Sequence, residues 1–270
     1  LRFVNLNPAT SFASVVSEAK AVLLLGGTMK PFEHFSRQLF PALPSQHLSF
    51  FECGHVVPPS NVLAVSLPKG PTGSAFHFTF RRRTSHDIID ELGRAIVNLS
   101  KVIPEGMVVF FPSFHYQAAV RRRWEATGVA ARIGSRKPVL WEDKSDNSSS
   151  NDNNNKRKKK KAMSGTKNRK NGQGRGAMLA CVVGGKLSEG INFSDGLARC
   201  VAVVGMPYAN SQDPLLKEKI SWINRRFSCA DTDTFSYYEN LCMRAVNQSI
   251  GRSIRHKGDY ACVLLIDQRY

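Results

Sequence analysis

Two arginines three residues apart, Arg252 and Arg255, are the side chains in this sequence best suited to bind a phosphate group. Forked guanidinium groups match the spread oxygens of a phosphate, whereas a lysine supplies only a point charge. Gln248 lies four residues before the first arginine, and Gly251 stands beside it. A glycine inside a helix costs about 1 kcal/mol relative to alanine, which is tolerable if a ligand must approach closely. The pattern therefore favours a phosphate-binding surface, with an ordinary solvated helix face as the alternative.

A helix over 239–256 would place these polar side chains on one side. At about 100° per residue, Gln248, Arg252 and Arg255 fall within a stripe about 60° wide. The opposite side is apolar and carries Met243, Val246, Ile250 and Ile254. We therefore expect the helix to bury one face and to present the arginines on the other.

Five apolar runs predict the strands that must position this helix. Their apolarity is continuous rather than alternating, which is typical of strands covered on both faces of a parallel sheet. Helical patterns lie between several of them, at 85–100, 113–126 and 213–226. The alternation predicts an α/β fold with a doubly wound, mostly parallel sheet flanked by helices. The five runs are 21–27, 107–112, 177–185, 200–207 and 261–267.

In a sheet of this kind, ligands bind on loops at the carboxyl ends of the strands. Polar or glycine-rich turns follow three of the predicted strands: GGTMKP the first, PSFHY the second and GGKLSEGINFSD the third. Ser113 is the expected N-cap of one helix, and Asp213 followed by Pro214 is the expected start of another. The working residues are therefore expected on these turns.

The net charge of +17 favours a polyanionic partner. About half of it lies in a tract over 144–176, which has almost no apolar residues. We therefore expect a disordered, low-complexity basic insertion between a helix and a strand, removable over 147–172 with little effect on activity. Its KRKKKK at 156–161 indicates a nuclear import signal or a nonspecific nucleic-acid contact, with a solvated spacer as the alternative. No apolar run approaches the roughly 18 residues of a membrane span.

The six cysteines include no C-x-x-C pair. Cys181, Cys200 and Cys262 lie inside predicted strands, where a free thiol behaves as a small apolar side chain. This distribution argues against a disulfide framework or a zinc site, and we expect no metal ligands in the chain.

An aromatic pattern precedes three consecutive arginines. Phe76, Phe78 and Phe80 alternate along the chain just before 81–83. Such rings could stack on bases beside a phosphate-binding patch. A strand with one face in the core explains the alternation equally well.

The segment from Gln248 to Arg255 resembles motif VI of superfamily 2 helicases. Three other segments resemble further motifs of that superfamily in the expected order: LLLGGTMKP (23–31) motif III, VVFFPSFHYQ (108–117) motif IV and VVGGKLSEGINFSD (182–195) motif V. The XPD-like iron–sulfur DNA helicases have sequences similar to four segments of this chain. These segments are GGTMKP, CGHVVPP (53–59), the segment 239–256 and the closing LLIDQRY. Within that group the resemblance is closest to the sister-chromatid-cohesion branch, the chromosome-loss helicases. The resemblance covers nearly the whole chain outside 144–176.

The resemblance implies two RecA-like domains with ATP between them and single-stranded DNA across both. Residues 1–45 would end the first domain, and 46–143 with 177–270 would form the second, a RecA-like helicase C-terminal domain. A phosphate-cradling G-x-x-x-x-G-K-[ST] loop, an acidic Mg²⁺ site and four cluster cysteines are not identifiable in the chain. We therefore expect a C-terminal fragment that does not hydrolyse ATP alone. A missing N-terminal RecA-like domain would supply the Mg²⁺ ligands and the 4Fe–4S cluster.

The resemblance also implies roles for individual residues. Arg255 would be the arginine finger and Arg252 a second contact to the γ-phosphate, and Gln248 would orient the attacking water or bridge to the nucleotide. Thr28 would link the two domains. The ATP cleft would be coupled to DNA by motif V residues Glu189, Gly190, Asn192 and Asp195. DNA contacts would come from Ser113, Tyr116, Lys30 and Lys186.

These expectations combine into one leading function. It is the C-terminal motor domain of a nuclear, ATP-dependent 5′–3′ DNA helicase acting in replication, repair or sister-chromatid cohesion. The expected partners are single-stranded or forked DNA and replication or cohesion proteins. The alternatives are an RNA helicase and a non-catalytic nucleic-acid-binding module from a truncated helicase gene.

Overall fold

The structure is a computed structural model, and it describes residues 3–55, 57–144, 176–187, 191, 193, 195–226 and 237–270. The chain divides into two compact units. One consists of 1–54 with 209–241, and the other of 55–208 with 242–270. The domain boundary expected at residue 45 stays a prediction.

The larger unit is built on a parallel sheet. Its described strands are β1 (Val62–Ser66), β2 (Met107–Phe111), β3 (Val139–Trp141), β4 (Met178–Val182), β5 (Cys200–Val204) and β6 (Ala261–Ile266). Their order across the sheet is β1-β6-β5-β2-β4-β3, and each of these pairings is parallel. The predicted α/β fold with a mostly parallel sheet is confirmed.

Both faces of this sheet are covered, as the continuous apolar runs predicted. Along β2, Val109 and Phe111 join one core cluster, while Phe110 joins another. Helices α3 (His86–Val102), α4 (Phe114–Ala126) and α5 (Val129–Gly134) supply the first cluster. The second is closed by the segment after β4 and by α7 (Tyr237–Ile250). Alternate residues of one strand therefore stabilise two separate helical layers.

Two predicted helix starts are confirmed at the level of their hydrogen bonds. The Ser113 hydroxyl oxygen accepts from the backbone N–H of Tyr116 at 3.3 Å, which caps α4. Helix α6 (Pro214–Arg226) begins in the same way, because the Asp213 carboxylate accepts from the N–H of Leu215 at 2.9 Å. Each side chain satisfies a donor that the first helical turn would otherwise leave unpaired.

The smaller unit contains α1 (Pro8–Glu18), α2 (Phe32–Leu39), α6 and the first turn of α7. The strand predicted at 21–27 is wrong: the segment is not a strand, and Leu23 and Leu25 are 79% and 83% exposed. A strand is stable only beside partners that bond its backbone and cover its side chains. The described part of this unit offers none.

Two edge strands, β1 and β3, are not predicted by the sequence patterns. Both are short, and Leu63 of β1 is largely exposed, so neither has the continuous apolar run of a buried strand. The presence of β3 changes the place of the 144–176 tract, which was expected between a helix and a strand. It instead connects two neighbouring parallel strands, β3 and β4, and residues 145–175 lie outside the described part.

Two of the three thiols predicted inside strands, Cys181 and Cys200, are fully buried, whereas Cys262 is half-buried. They fill the core as small apolar side chains. Among the described helices, none has the length and apolarity needed to cross a membrane.

Candidate functional site

Helix α7 carries Gln248 but ends earlier than predicted. It stops at Ile250, so the expected helix over 239–256 is wrong at its C-terminal end, and Arg252 and Arg255 lie beyond it. The N–H of Gly251 still donates to the Asn247 carbonyl at 2.8 Å. The N–H of Ser253 then donates to the Ile250 carbonyl at 3.1 Å, which forms a tight turn after the helix. The two arginines are therefore presented by a turn and a loop rather than by a helix face.

The amphipathic character predicted for this helix is confirmed up to its end. Val246 is buried against the second core cluster, and Ile250 packs partly against it. Gln248 lies on the exposed side. Past the helix, Arg252 is half-buried and Arg255 is exposed. Charge and burial coexist here because the turn after Ile250 exposes Arg255 while it buries Ser253.

Contacts on both sides of Arg255 fix the position of the segment 251–259. The backbone N–H of Phe193 donates to the Arg252 carbonyl at 3.1 Å. On the other side, the His256 ring nitrogen Nε2 lies 2.9 Å from Asp195 Oδ1. The structure thus brings the predicted coupling residue Asp195 next to the segment that carries the two arginines.

Asp195 itself has a φ of 58°, in the left-handed region that aspartate tolerates better than most residues. Its backbone N–H donates to the Asp259 carboxylate at 3.3 Å. This second contact lets one residue hold both the loop before β5 and the loop before β6.

A buried ion pair lies beneath these contacts at the amino ends of β5 and β6. The Arg199 guanidinium donates to Glu105 and Asp259, each at 2.8 Å, and lies 3.9 Å from the Tyr260 ring centre. Only 11% of the Arg199 side chain is exposed. Burial opposes its charge, but the hydrogen bonds that it donates to Glu105 and Asp259 outweigh this and raise the pKa of Arg199. One guanidinium is thus shared by two carboxylates, and this network anchors the loops.

A trio of side chains near this network could approach a metal ion. Asp195, His256 and Asp259 each place one ligand atom within 4.8 Å of the others. The Arg199 guanidinium already binds the Asp259 carboxylate, and its positive charge opposes a cation there. We assign no metal to this trio.

The carboxyl edge of the sheet brings together two predicted DNA contacts. Phe111 and Val182 are paired in register at the ends of β2 and β4, and the N–H of Val183 donates to Phe111 at 2.9 Å. Ser113 follows β2, and Lys186 follows β4, so both residues lie at this edge. Lys186 is exposed, whereas the Ser113 hydroxyl is occupied as a helix cap.

The loop after β4 is held by a residue that the sequence analysis missed, Glu142. Its buried carboxylate accepts from the N–H of Val182 at 2.8 Å and from the N–H of Leu187 at 2.9 Å. Gly185 lies against it, since a Cβ there would stand 2.5 Å from Glu142 Oε1. A buried charge needs such donors, and a glutamate after an apolar triplet could have been noticed as one.

Tyr116 is corrected from a DNA contact to a core residue. It is fully buried and packs against Phe78 and Phe111 with ring centres 6.2 and 6.1 Å away. Burial also raises the pKa of its phenol well above the usual range. Tyr116, Val120 and Trp124 recur at four-residue spacing and form the buried stripe of α4.

The other predicted residues belong to the smaller unit or lie outside the described part. Thr28 is half-buried in the smaller unit, and the Lys30 ammonium there lies 2.6 Å from the Glu52 carboxylate. The motif V residues Glu189, Gly190 and Asn192 lie outside the described residues.

The larger unit is a parallel α/β sheet with an arginine-bearing turn after α7, the last helix of the described part. Residues 96–270 match the helicase C-terminal domain, and the chain belongs to that family. Its relatives include the ATP-dependent DNA helicase DDX11 of Danio rerio, which is 42% identical over 274 residues, 100% of this chain and 30% of that protein. The ATP-dependent DNA helicase CHL1 of Sclerotinia sclerotiorum is 35% identical over 332 residues, 100% of this chain and 36% of that protein.

The chain therefore spans about a third of the length of these curated relatives. Among solved structures, apo XPD superimposes with a TM-score of 0.50 and 19% identity, covering 77% of this chain and 36% of that one. At this identity the match supports the fold alone. The family expected from the sequence motifs is confirmed.

Proposed function

We propose that the chain is the C-terminal motor domain of an ATP-dependent 5′–3′ DNA helicase. The observation that carries this proposal is the anchoring of the segment 251–259, which leaves Arg255 exposed while Phe193 and Asp195 hold the residues on either side. An exposed arginine on an anchored backbone segment is what phosphoryl transfer requires from a second domain. Relatives named ATP-dependent DNA helicases, 42% and 35% identical to this chain, support the same activity.

The residues at and after the end of α7 would contact the outer part of a nucleotide. Arg255 and Arg252 would contact the γ-phosphate, and Gln248 would orient the attacking water. Among the described residues, a Cβ at Gly251 would approach the Asn247 carbonyl oxygen, at 3.2 Å, so this side of the turn has room for a ligand. ATP with Mg²⁺ would supply the phosphoryl group that is transferred to water. The arginines would neutralise the charge that develops during the transfer.

Coupling between nucleotide and DNA would run through the loop after β4. Phe193 and Asp195 bond the arginine-bearing segment directly. Toward the carboxyl edge, Lys186 would pair with a DNA phosphate and the first turn of α4 after Ser113 would present its amides. The roles of Glu189, Gly190, Asn192, Thr28 and Lys30 are proposed on the family resemblance.

The cysteines do not fit an iron–sulfur cluster within the described residues. Cys181 and Cys200 are buried in two strands of the larger unit, and Cys53 is exposed in the smaller one. Such a cluster needs four thiolates around one site. We therefore place the 4Fe–4S cluster and the Mg²⁺ ligands of the full-length protein outside this chain, on its missing RecA-like domain.

The proposed setting is the nucleus, with replication or cohesion proteins as partners. Full-length protein should hydrolyse ATP when single-stranded DNA is added and unwind a fork with a 5′ single-stranded tail. A preference for RNA would identify the RNA helicase alternative. Binding of DNA without ATP turnover would identify the non-catalytic module and overturn the proposal.

A further inference from the structure

The three alternating phenylalanines before the arginine run have different environments. Phe76 and Phe78 are buried in the core and stack on each other with ring centres 5.5 Å apart. Phe80 is 80% exposed. The core interpretation of the alternation therefore holds for the first two rings, and the third needs another explanation.

The segment carrying these rings crosses the carboxyl edge of the sheet. The N–H of Gln268, just after β6, donates to the Phe76 carbonyl at 2.8 Å. Gly205, just after β5, lies so close that a Cβ there would stand 2.9 Å from the Phe78 Cβ. Arg83 then reaches the Tyr116 ring, in the first turn of α4, at 5.6 Å. Phe80 and its arginines therefore lie at the edge that also carries Ser113.

The turn that presents these side chains is fixed by its backbone. The N–H groups of Arg82 and Arg83 both donate to the Thr79 carbonyl, at 3.0 and 2.8 Å. The Arg81 and Arg82 side chains are exposed. Three positive charges and an exposed ring are thus held on one short, ordered turn.

The Arg83 guanidinium is the best-defined part of this surface. It lies over the Phe80 ring at 5.1 Å, and its Nε is buried without a hydrogen-bond partner in the described part of the chain. No carboxylate in that part pairs with it. Burial lowers the pKa of Arg83, as expected for a guanidinium removed from water without an anion. An incoming phosphate would supply the missing anion.

We infer that Phe80 and Arg83 form a contact site for single-stranded DNA, in which the ring stacks on a base and the guanidinium pairs with a neighbouring phosphate. Arg81 and Arg82 add charge along the strand. Aromatic platforms flanked by cations bind single strands without sequence preference. The inference rests on the proposed function, because the strand at this edge would be the one along which the helicase moves.

The test is equilibrium binding of the full-length protein, without nucleotide, to a fluorescein-labelled dT20 and to an abasic strand of the same length. Phe80→Ala should weaken dT20 binding about 5-fold or more and leave abasic binding unchanged, because only stacking is lost. Arg83→Ala should weaken both and reduce the salt slope by about 0.7. Phe80→Trp should restore affinity, with tryptophan fluorescence quenched by dT20.

Matched controls lie at the opposite edge of the sheet. Val102→Ala removes an exposed apolar side chain, and Arg136→Ala removes an exposed charge. Both should bind dT20 as wild type does. Thermal unfolding of each variant separates misfolding from lost contact, and Arg83→Lys retains the charge if Arg83→Ala unfolds.

Wild-type affinity of Phe80→Ala for dT20 would overturn the inference, as would equal losses on dT20 and the abasic strand. A raised KM for ATP with unchanged dT20 binding would assign the turn to nucleotide and overturn it as well. ATP turnover and fork unwinding by the wild-type protein are measured in parallel. Their absence would count against the proposed function, and the binding comparison would still decide this site.

Discussion

The buried carboxylate of Glu142 accepts a hydrogen bond from the backbone N–H of Leu187 at 2.9 Å. Its other oxygen accepts from Val182, at the end of β4. One side chain after β3 therefore fixes both ends of the turn that carries Lys186. This places the predicted DNA contact on a rigid support.

Glu142→Gln should loosen this turn. A glutamine amide offers only one oxygen, so one of the two N–H donors would face an NH₂ group and lose its partner. The expected loss is about 1–3 kcal/mol of unfolding free energy, with a higher KM for DNA in ATP hydrolysis and little change in the KM for ATP. Asp143→Asn, at the neighbouring exposed residue, is the control and should alter neither. Unchanged melting of Glu142→Gln would contradict the buried contact.

Arg255→Ala should abolish ATP turnover in the full-length protein while single-strand binding stays within about twofold of wild type. An arginine that reaches the transition state contributes about 10³-fold or more to phosphoryl transfer. Arg255→Lys should recover little, because a lysine lacks the fork. Steady-state ATPase rates and anisotropy binding provide the two readouts.

Arg136→Ala, an exposed arginine at the amino edge, serves as the matched control. It should hydrolyse ATP at the wild-type rate. Normal ATPase activity in Arg255→Ala would remove Arg255 from the proposed site.

The central strands could be predicted from the sequence because burial on both faces leaves a continuous apolar run. The prediction that α7 extends to His256 is wrong, since the helix ends at Ile250. Gly251, directly after the last apolar residue packed on the core, was the available signal, since glycine commonly follows a helix. Periodicity alone continued the helix past it.

Other features depend on contacts far apart in the chain. The partners of Glu142 lie 40 and 45 residues away, so no local pattern identifies its role. Tyr116 is different, because its spacing from Val120 and Trp124 predicts a buried stripe. The resemblance to a family motif instead implied a DNA contact for this residue. The run at 21–27 shows the converse, since apolar residues form a strand only when neighbours pair with them.

Glu91 should make the unfolding free energy of the larger unit depend on pH in the acidic range. Its buried carboxylate accepts from the Thr72 N–H and from Arg94 Nε, each at 2.7 Å. Burial alone would raise the pKa of Glu91, but the hydrogen bonds from Thr72 and Arg94 outweigh it, and the pKa is lowered. A carboxylate with a lowered folded pKa stabilises above its unfolded pKa of about 4.3 and loses this contribution as pH falls through the folded value.

Glu91→Gln should therefore melt below wild type at pH 7, by an amount equivalent to about 1–3 kcal/mol. The difference should shrink as the pH falls through the range where the wild-type carboxylate is protonated. Melting curves from pH 7 to 3 provide the measurement, with exposed Glu125→Gln as the control. A difference that stays constant with pH would exclude the linkage.

Deleting 147–172 should disrupt the sheet, contrary to the expectation of a dispensable insertion. Trp141 is level with Ala180 in adjacent parallel strands, so the connection must return from the carboxyl end of β3 to the amino end of β4. The deletion leaves only 145, 146 and 173–175 between Lys144 and Gly176, a segment that spans at most about 20–22 Å even when fully extended, so the shortened connection should strain the pairing of the two strands. Deleting only 151–161 leaves ample length, so it should preserve melting and ATPase activity while removing KRKKKK. Replacing 151–161 with a glycine–serine segment of the same length distinguishes the effect of losing the basic residues from the effect of shortening the connection. Wild-type melting of the 147–172 deletion would show that β3 and β4 are not paired as described.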